Sequence, residues 1–485
     1  MTSQLAVRRR GGSGDPVVTN VTCDSRTAGP GSVYVSIPGF KVHGDTFIKN
    51  AVDKGASAVL SENPQPDCPV AWAQIGNART VLGMASRAVY GIDLSKIRCV
   101  GITGTNGKTT TAHLMQALLS LVSGKNAVWM FGTIRYYAAG KNEAAHNTTP
   151  EAAEIFRDIA AADKKPDAIV MEVSSHSLAL HRIAGLLYDC ALFTNLTQDH
   201  LDFHASMEDY YQAKKMLFTD YLKPDGKAVI NIDDPYGQRL AGELAEKPLV
   251  TFGRNESAGM RILDWQCGWG ATTVTLGMDG RREVFSSKLA GFFNVYNMAA
   301  VAAAAQALGI GMDMVRRCFE AVDTVPGRMD RVPLDAPFSV FVDYAHTPDA
   351  LVNVLSTAKN LAAGRLICVF GCGGDRDKTK RPLMGHAVAE NADEAIVTSD
   401  NPRSEDPHAI VRDILRGMPL DFPHVVIIDR REAIRKALSM ARPGDCVVVA
   451  GKGHEDYQEI KGVRHHFDDR EEVLKAFTEA QAYAH

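Results

Sequence analysis

Residues 98–111, Arg-Cys-Val-Gly-Ile-Thr-Gly-Thr-Asn-Gly-Lys-Thr-Thr-Thr, constrain the fold of this chain more than any other stretch. An apolar, β-leaning run ends in closely spaced glycines, then Lys108, three threonines and a helix-like stretch over 113–121. A strand, a glycine turn and a helix N-terminus together make a phosphate cradle. Glycine lets backbone N–H groups turn inward without a Cβ clash, and the helix end adds partial positive charge. Lys108 would reach the outer phosphates, and the Thr109 hydroxyl would ligate Mg²⁺. The strict P-loop spacing is not met, because its first glycine would fall at Ile102, whereas the chain has Gly101 and Gly104. The plain alternative is an ordinary glycine turn. Gly-Lys-Thr-Thr between a buried strand and a helix favours nucleotide binding, with Gly104, Thr105, Asn106, Gly107, Lys108, Thr109 and Thr110 as the binding residues.

Around this loop the pattern alternates strand and helix, which predicts an α/β fold with mostly parallel sheets. At 485 residues the chain exceeds one core, so two or three domains of about 100–200 residues each are expected. Residues 1–15 are polar and glycine-rich and are expected to be a loose lead-in. A small α/β domain follows, with strands near 32–37, 56–60 and 70–73 and helices near 46–54 and 78–90. From 98 to about 330 strands fall at 127–132, 168–173, 191–195 and 228–232, with helices at 151–162, 206–217 and an alanine-rich 295–308. Short turn-broken runs at 259–290 predict an antiparallel addition on the sheet edge. Pro326-Gly327-Arg328 marks a boundary, and 331–485 alternates again, with strands near 340–342, 366–370, 395–398, 425–428 and 446–450. The domains are therefore read as 1–97, 98–330 and 331–485.

A net charge of −4 argues against a basic nucleic-acid-binding surface. Nine dispersed cysteines without a Cys-x-x-Cys pair suit reduced thiols and a cytoplasmic protein. No apolar run approaches ~18–20 residues, so no membrane span is expected. Arg8 to Arg10 precede no apolar segment, so no secretory signal is expected either.

Chemistry-bearing residues gather at predicted strand ends, where open α/β sheets bind ligands. Glu172 ends one strand, just before Ser174-Ser-His176, and can hold Mg²⁺ as a Walker-B acid does. It can equally be a solvated strand-end carboxylate. The next strand runs into Thr194-Asn-Leu-Thr-Gln-Asp-His200-Leu-Asp-Phe-His204. Hard oxygens dominate there and no zinc spacing is present, so His200 points to Mg²⁺ rather than zinc. Asn294 and Asn297 stand at a helix start, either as ligands or as caps of that helix. Arg328 and Asp343 lie near the domain junction, where an adenosine could be sandwiched. In the last domain Gly371-Cys-Gly-Gly-Asp-Arg-Asp377, Asp400-Asn401-Pro402-Arg403 and Gly451-Lys-Gly-His-Glu455 each follow a predicted strand. Arg376 and Arg403 can each grip a carboxylate and Glu455 an ammonium, a pocket for an amino acid with a spare zwitterionic head.

Taken in order, Gly-Thr-Asn-Gly-Lys-Thr-Thr, Glu-Val-Ser-Ser-His, Thr-Asn-Leu-Thr-x-Asp-His-Leu-Asp-x-His, Asp-Tyr-Ala-His-Thr-Pro and Gly-Lys-Gly-His-Glu resemble the Mur ligases, from about Asp24 onward. The resemblance implies three domains: one for a UDP-sugar, a central P-loop-type ATPase, and a Rossmann-like C-terminal domain. It implies ATP and Mg²⁺, with a substrate carboxylate phosphorylated to an acyl phosphate that an incoming amine attacks. By the same resemblance Thr109 and Glu172 serve one Mg²⁺ and His200 a second. Lys214, rather than Lys215, matches a lysine the family carbamylates; the bland reading of either lysine is a solvated helix face. Asn147, Thr148, Thr149, Ser174 and Arg182 match groups around UDP-N-acetylmuramoyl-L-Ala-D-Glu, and Ser25 lies near its uridine end. Gly451, Asp400, Asn401, Pro402, Arg403, Arg376 and Glu455 fall to the amino acid. Two departures concern the sugar nucleotide: Leu180 stands where relatives often have glutamine, and the 39–44 stretch lacks an acid before Gly44. The Asp-Asn-Pro-Arg version resembles the members adding meso-diaminopimelate, since Arg403 answers a carboxylate that lysine lacks. A monomer is expected. A lysine-adding or polyglutamate-type ligase on the same frame, and a nucleotide-dependent switch without amide chemistry, stay open at this level.

Overall fold

The computed structural model describes residues 7–39, 42–64, 68–145, 147–268 and 271–483. Phe40 and Lys41, within the departing 39–44 stretch, lie outside the described residues. The chain divides into two compact units: Met1–Thr103, Leu119–Leu192 and Gln212–Ala228 in the first, and Gly104–Leu118, Phe193–Tyr211 and Val229–His485 in the second.

In the first unit, strands β1 (Arg9–Gly11), β2 (Asn20–Thr22), β3 (Ser32–Val35), β4 (Ala58–Ser61) and β5 (Ala71–Gln74) form a sheet of order β1-β5-β4-β3-β2. β2 to β5 pair parallel. Val33, Val35, Leu60 and Ala73 face the helix Ala78–Val89, and Tyr34 and Val59 face the helix Ile48–Asp53. Asn77 starts the longer helix by accepting the Thr80 N–H, as a good N-cap does. Of the lead-in expected to be loose over 1–15, residues 1–6 lie outside the described residues, and Arg9–Gly11 is corrected: β1 pairs antiparallel with β5, Arg9 opposite Gln74 and Gly11 opposite Trp72. An open edge strand recruits any extended backbone whose N–H groups need partners, whatever its side chains.

The same unit holds β6 (Arg98–Thr103), β7 (Val128–Phe131), β8 (Arg135–Ala138), β9 (Lys141–Ala144), β10 (Ala168–Glu172) and β11 (Tyr188–Phe193), in the order β11-β6-β10-β7-β8-β9. β10 runs parallel to both β6 and β7, with Glu172 opposite Ile102. The β8–β9 hairpin was not anticipated: β9 is polar and exposed, and β8, Arg-Tyr-Tyr-Ala, is only partly buried. Its turn places Ala139 at φ +50° and Gly140 at +76°. The helix beginning at Lys108 starts five residues earlier than the helical pattern over 113–121 suggests.

β12 (Leu222–Asn231) begins in the first unit and ends in the second, where it leads to β13 (Leu249–Gly253), β14 (Met260–Gly268), β15 (Ala271–Met278) and β16 (Arg281–Ser287). β14, β15 and β16 are antiparallel, as their turn-broken sequence suggested. The alanine-rich helix Phe292–Ala307 is buried along nearly its whole length, since small side chains let backbone approach backbone closely.

The second unit also holds β17 (Asp330–Val332), β18 (Ser339–Asp343), β19 (Leu366–Phe370), β20 (Glu394–Val397), β21 (His424–Val426) and β22 (Cys446–Ala450), ordered β17-β18-β22-β19-β20-β21. All pair parallel except β17 with β18. Parallel strands covered on both faces read as unbroken apolar runs. In β22, Cys446, Val448 and Ala450 join one core with Leu351, Leu355, Met384 and Ile414, while Val447 and Val449 join the other with Ile434, Ala437 and Val473. A hairpin, β23 (Tyr457–Ile460) and β24 (Val463–His466), follows. None of the nine cysteines is joined in a disulfide. Among the described residues no helix is long and apolar enough to cross a membrane.

Candidate active site

The glycine loop of the second unit is built by backbone geometry that only glycine meets easily. Gly104 sits at φ +149° and Gly107 at +86°. A Cβ at Gly104 would collide with Thr194 Oγ1, and one at Gly107 would stand 2.7 Å from Asn297 Oδ1. The loop is lashed to the strand end at 194–197. Thr105 N–H donates to Asn195 O at 2.9 Å, Asn106 N–H to Asn195 Oδ1 at 2.8 Å, and Thr194 Oγ1 to Asn106 O at 2.6 Å. Asn106 Nδ2 donates to Asp349 Oδ2 at 2.6 Å. Lys108 curls over its own loop and donates to Gly104 O at 2.9 Å and Thr105 O at 2.8 Å. Thr109 Oγ1 accepts from Arg328 Nη2 at 2.8 Å, and the Arg328 guanidinium lies 4.8 Å from the Tyr344 ring centre. Thr110 is buried beside it.

Asn294 and Asn297 do not cap their helix, which starts at Phe292 behind Gly291. Asn294 Nδ2 donates to Ala290 O at 2.7 Å, and its Oδ1 accepts from Asn297 Nδ2 at 2.9 Å. Asn297 Oδ1 in turn accepts from Thr111 Oγ1 at 3.3 Å, so the pair ties this helix to the one that carries the lysine and threonines. Asp343 is buried and receives Met329 N–H at 2.6 Å and Ala345 N–H at 2.7 Å. It holds the turn that carries Arg328, and burial raises its carboxyl above the usual range.

His200 adopts a left-handed backbone, φ +56°, that points its imidazole back toward Asp199, with Nε2 3.4 Å from Asp199 Oδ2. Asp199 is buried and also faces Lys380 Nζ at 3.4 Å and His346 Nε2 at 3.9 Å. Burial pushes the Asp199 carboxyl up, but its basic neighbours outweigh burial and hold it well below the usual range. His346 is pushed down to about 4 by its own burial and by Lys380, so it is neutral near pH 7. Its Nδ1–H faces Tyr344 O at 2.8 Å. Among the described residues no cluster of three or more His, Cys, Asp or Glu forms a ready metal cage.

The three glycine- and arginine-bearing loops of the last sheet do meet. Asp400 and Asn401 are buried at the end of β20. Gly451, at φ +116°, lets Asp400 approach, since a Cβ there would stand 2.5 Å from Asp400 Oδ2. Asn401 Nδ2 donates to Glu455 Oε2 at 2.8 Å. Pro402 O accepts from Glu405 N–H at 3.0 Å, closing the turn. Arg403, at φ +51°, exchanges backbone hydrogen bonds with the β23–β24 hairpin, and its Nη1 donates to Gly374 O at 2.7 Å. Arg376, like Arg403, lies beside Gly373 but is exposed, with Nη1 on its neighbour's carbonyl, Asp375 O, at 3.1 Å. The buried arginine of this region is Arg381, which pairs with Glu405 at 2.8 Å and Asp413 at 3.0 Å. Glu455 already faces an ammonium, Lys452 Nζ at 3.3 Å.

In the first unit Glu172 is fully buried, which removes the reading of a solvated strand-end carboxylate. It accepts Thr133 N–H at 2.8 Å and Thr133 Oγ1 at 3.0 Å. Thr133 Oγ1 continues to Thr148 Oγ1 at 3.2 Å, and Thr149 Oγ1 donates to Glu172 O at 2.8 Å and lies 3.3 Å from Ser174 Oγ. Ser174 caps the short helix after β10. Asn147 O accepts from Tyr136 on the hairpin. Arg182 Nε lies 3.7 Å from Glu151, which Arg79 also pairs at 3.1 Å. Leu180 closes the short helix ahead of Arg182. Ser25 is buried in the turn capped by Asp24. Lys214 is 1% exposed while Lys215 is partly exposed, so Lys214 does not lie on a solvated face.

The sequence reading left Lys452, Lys380, Asp199 and Arg381 without roles. Lys452 and Asp199 stood inside quoted motifs, so their signal was present but unassigned; Lys380 and Arg381 open a helix with nothing to mark them locally.

Comparisons with known proteins give the chain its relatives. The family profiles of the Mur ligase family catalytic domain, the Mur ligase middle domain and the Mur ligase glutamate ligase domain match residues 17–90, 102–305 and 327–453. The UDP-N-acetylmuramoyl-L-alanyl-D-glutamate–2,6-diaminopimelate ligase of Geobacter metallireducens is 43% identical across 97% of this chain and 96% of its own length. A solved structure of a ligase of that name is 34% identical, with TM-score 0.67, covering 96% of this chain and 95% of that one. The MurF ligase of Thermotoga maritima, solved in complex with ADP, shares the fold at 20% identity and TM-score 0.66 over 98% of this chain and 100% of that one. A glycine loop lashed to the strand end at 194–197, a buried strand-end glutamate and a matching chain from residue 17 onward lead to one conclusion: this chain belongs to the Mur ligase family.

Proposed function

We propose that the chain is an ATP-dependent amide ligase that joins meso-diaminopimelate to the D-glutamate of UDP-N-acetylmuramoyl-L-Ala-D-Glu. The observation that carries this reading is the full-length likeness, at 43% identity, to a ligase named for those substrates. The pocket at Asp400–Arg403 and Glu455 supports it, because it offers a guanidinium and a carboxylate to an amino acid with two zwitterionic ends. The reading includes a cytoplasmic, monomeric enzyme and the three domains 1–97, 98–330 and 331–485.

A carboxylate is a poor acyl donor because its leaving group would be oxide. Transfer of the γ-phosphoryl group to a carboxylate oxygen releases ADP and leaves an acyl phosphate. Attack by the amine forms the C–N bond, expels phosphate and releases one proton. Gly104 to Thr110 would hold the nucleotide, with Asn294, Arg328 and Asp343 beside it. Lys108 would leave the carbonyls of Gly104 and Thr105 for the phosphates, an exchange of one set of oxygen acceptors for a more charged one. Arg328, now on the Thr109 hydroxyl, would be drawn to the same charge.

Magnesium suits the donor chemistry of each unit taken by itself, since the Thr109 hydroxyl of the second and the buried Glu172 carboxylate of the first are hard oxygens and Mg²⁺ takes few protein ligands beside phosphate and water. Thr109, Glu172, His200 and a carbamylated Lys214 would hold it. Bound there, it would neutralise charge on the transferring phosphoryl group. Asn147, Thr148, Thr149, Ser174, Arg182 and Ser25 would hold the UDP-linked substrate.

The test is phosphate release measured with each substrate omitted in turn, and with lysine in place of diaminopimelate. Release that requires both the UDP-linked dipeptide and diaminopimelate is expected; release indifferent to either would overturn the reading.

A further inference from the structure

Lys452 has no exposed surface, and a buried ammonium must be paired. Its Nζ lies 3.3 Å from Glu455 Oε2, 3.2 Å from Asn401 Oδ1 and 4.0 Å from Asp400 Oδ1, and 5.5 Å from the Tyr457 ring centre. Asn401 bridges the same partners, since its Nδ2 donates to the Glu455 oxygen that Lys452 faces and its Oδ1 receives the Glu459 N–H at 2.9 Å. Buried Asp400 and Lys452 and the partly buried Glu455 therefore make a set of two carboxylates and one ammonium, short of neutrality by one positive charge.

We propose that Lys452 is a positioning residue for the amino-acid substrate: it keeps Glu455 ionised and aimed, so that the cluster's missing positive charge is supplied by a substrate ammonium. This rests on the reading of the Asp400–Glu455 pocket as the amino-acid site. Two carboxylates close together and largely shielded from water repel, and one of them takes a proton unless a cation stands between them. Burial and Asp400 raise the Glu455 carboxyl, and Lys452 with Asn401 opposes them. The other groups facing Glu455 are Tyr344, whose hydroxyl donates to Oε1 at 3.4 Å, Tyr457, and the Arg430 guanidinium. None of these replaces Lys452, because Tyr344 and Tyr457 are neutral and Arg430 is spent in a bidentate pair with Asp469.

The consequence is a pH signature. Without Lys452 the Glu455 carboxyl rises, so substrate binding fails at a higher pH. Once both carboxylates ionise, the pocket attracts an ammonium at least as strongly as before. Loss should therefore be confined to the acid side.

The experiment measures KM for diaminopimelate from pH 6 to 8.5 in the full-length wild-type enzyme and in Lys452→Met, Lys452→Gln, Lys452→Arg and Glu455→Gln. KM values for ATP and the UDP-linked dipeptide are measured alongside. The Met and Gln variants should show KM for diaminopimelate raised most at the acid end of the range, because the acid limb moves up; a displacement of about one pH unit caps the rise at about 10-fold. The loss should shrink toward pH 8.5, Lys452→Arg should keep the wild-type limb, and Glu455→Gln should lose the limb. A loss equal at every pH, or shared by all three substrates, would overturn the proposal. So would Lys452→Arg behaving like Lys452→Met; the Arg and Gln variants also decide the matter should the Met variant not fold. Wild-type turnover independent of diaminopimelate would instead overturn the ligase reading itself.

Discussion

Replacing Arg403 by asparagine tests the choice of amino acid most directly. Arg403 holds a left-handed backbone at φ +51°, and the hairpin fixes it there through Glu459 O at 3.0 Å and Lys461 N–H at 2.7 Å. Asparagine tolerates that conformation better than other non-glycine residues, so Arg403→Asn removes the guanidinium without adding backbone strain. One Nη1–H is committed to Gly374 O at 2.7 Å. The rest of the fork is what a substrate carboxylate would meet. Two charge-assisted hydrogen bonds are worth about 1.5–3 kcal/mol each, so the lower end of their loss is about 3 kcal/mol. That is a fall of roughly 10²-fold in kcat/KM for diaminopimelate. Lysine, lacking the second carboxylate, should lose little, so the preference for diaminopimelate should collapse by a similar factor. Arg403→Lys should recover only part, since a point charge cannot match the bidentate fork. Coupled phosphate release with both amino acids reads all of this. If kcat/KM for diaminopimelate in Arg403→Asn stayed within about threefold of wild type, or if both amino acids fell together, the specificity argument would be wrong.

Other expectations follow from the same residues. The Arg430–Asp469 pair is 0% exposed at both partners and bidentate at 2.7 Å, with Nη2 also on Ala450 O at 2.9 Å, the strand end that precedes Gly451. Asp469→Asn or Arg430→Met alone should cost about 3–5 kcal/mol in urea unfolding, and Arg430→Met with Asp469→Leu clearly less than the sum; additive costs would refute the coupling. Lys214→Ala should lose turnover by more than tenfold and regain part of it in millimolar formate or acetate, if a carbamate is what the family likeness implies; failure of every short carboxylate to rescue would count against it. Hydrogen bonding to Arg381 holds the Glu405 carboxyl down to about 2. A depressed carboxyl contributes stability that is present above its unfolded value of about 4.3 and lost as pH falls toward 2. Glu405→Gln should therefore be less stable than wild type at pH 6, with the gap closing below pH 4 in thermal melts; a gap unchanged with pH would refute the assignment.

Much of the frame was legible in the chain itself. The β19 and β22 runs at 366–370 and 446–450 are continuous apolar pentapeptides, a pattern that parallel strands covered on both faces require. The glycine loop was legible because its chemistry is local: two positive-φ glycines and a helix start within a few residues. What escaped had no local apolar signal. β9 is exposed and polar, β8 has only two partly buried tyrosines and an alanine, and β1 is held by backbone hydrogen bonds to an edge whose existence depends on the rest of its sheet.

The side-chain roles divide the same way. By itself the sequence marked out most of the order of strands and helices, the glycine loop before the helix at Lys108, and the acids, amides and arginines that follow the strand ends, because apolar periodicity and glycine conformations act over a few residues. Only tertiary structure decided that Lys214 is buried and Lys215 is not, and that Arg403 bonds the Gly374 carbonyl while Arg376 stands exposed. It alone set Arg328 on the Thr109 hydroxyl, 219 residues away, and Lys452 between two carboxylates. Burial and pairing depend on partners that are near in space and far in sequence, and no local pattern records them.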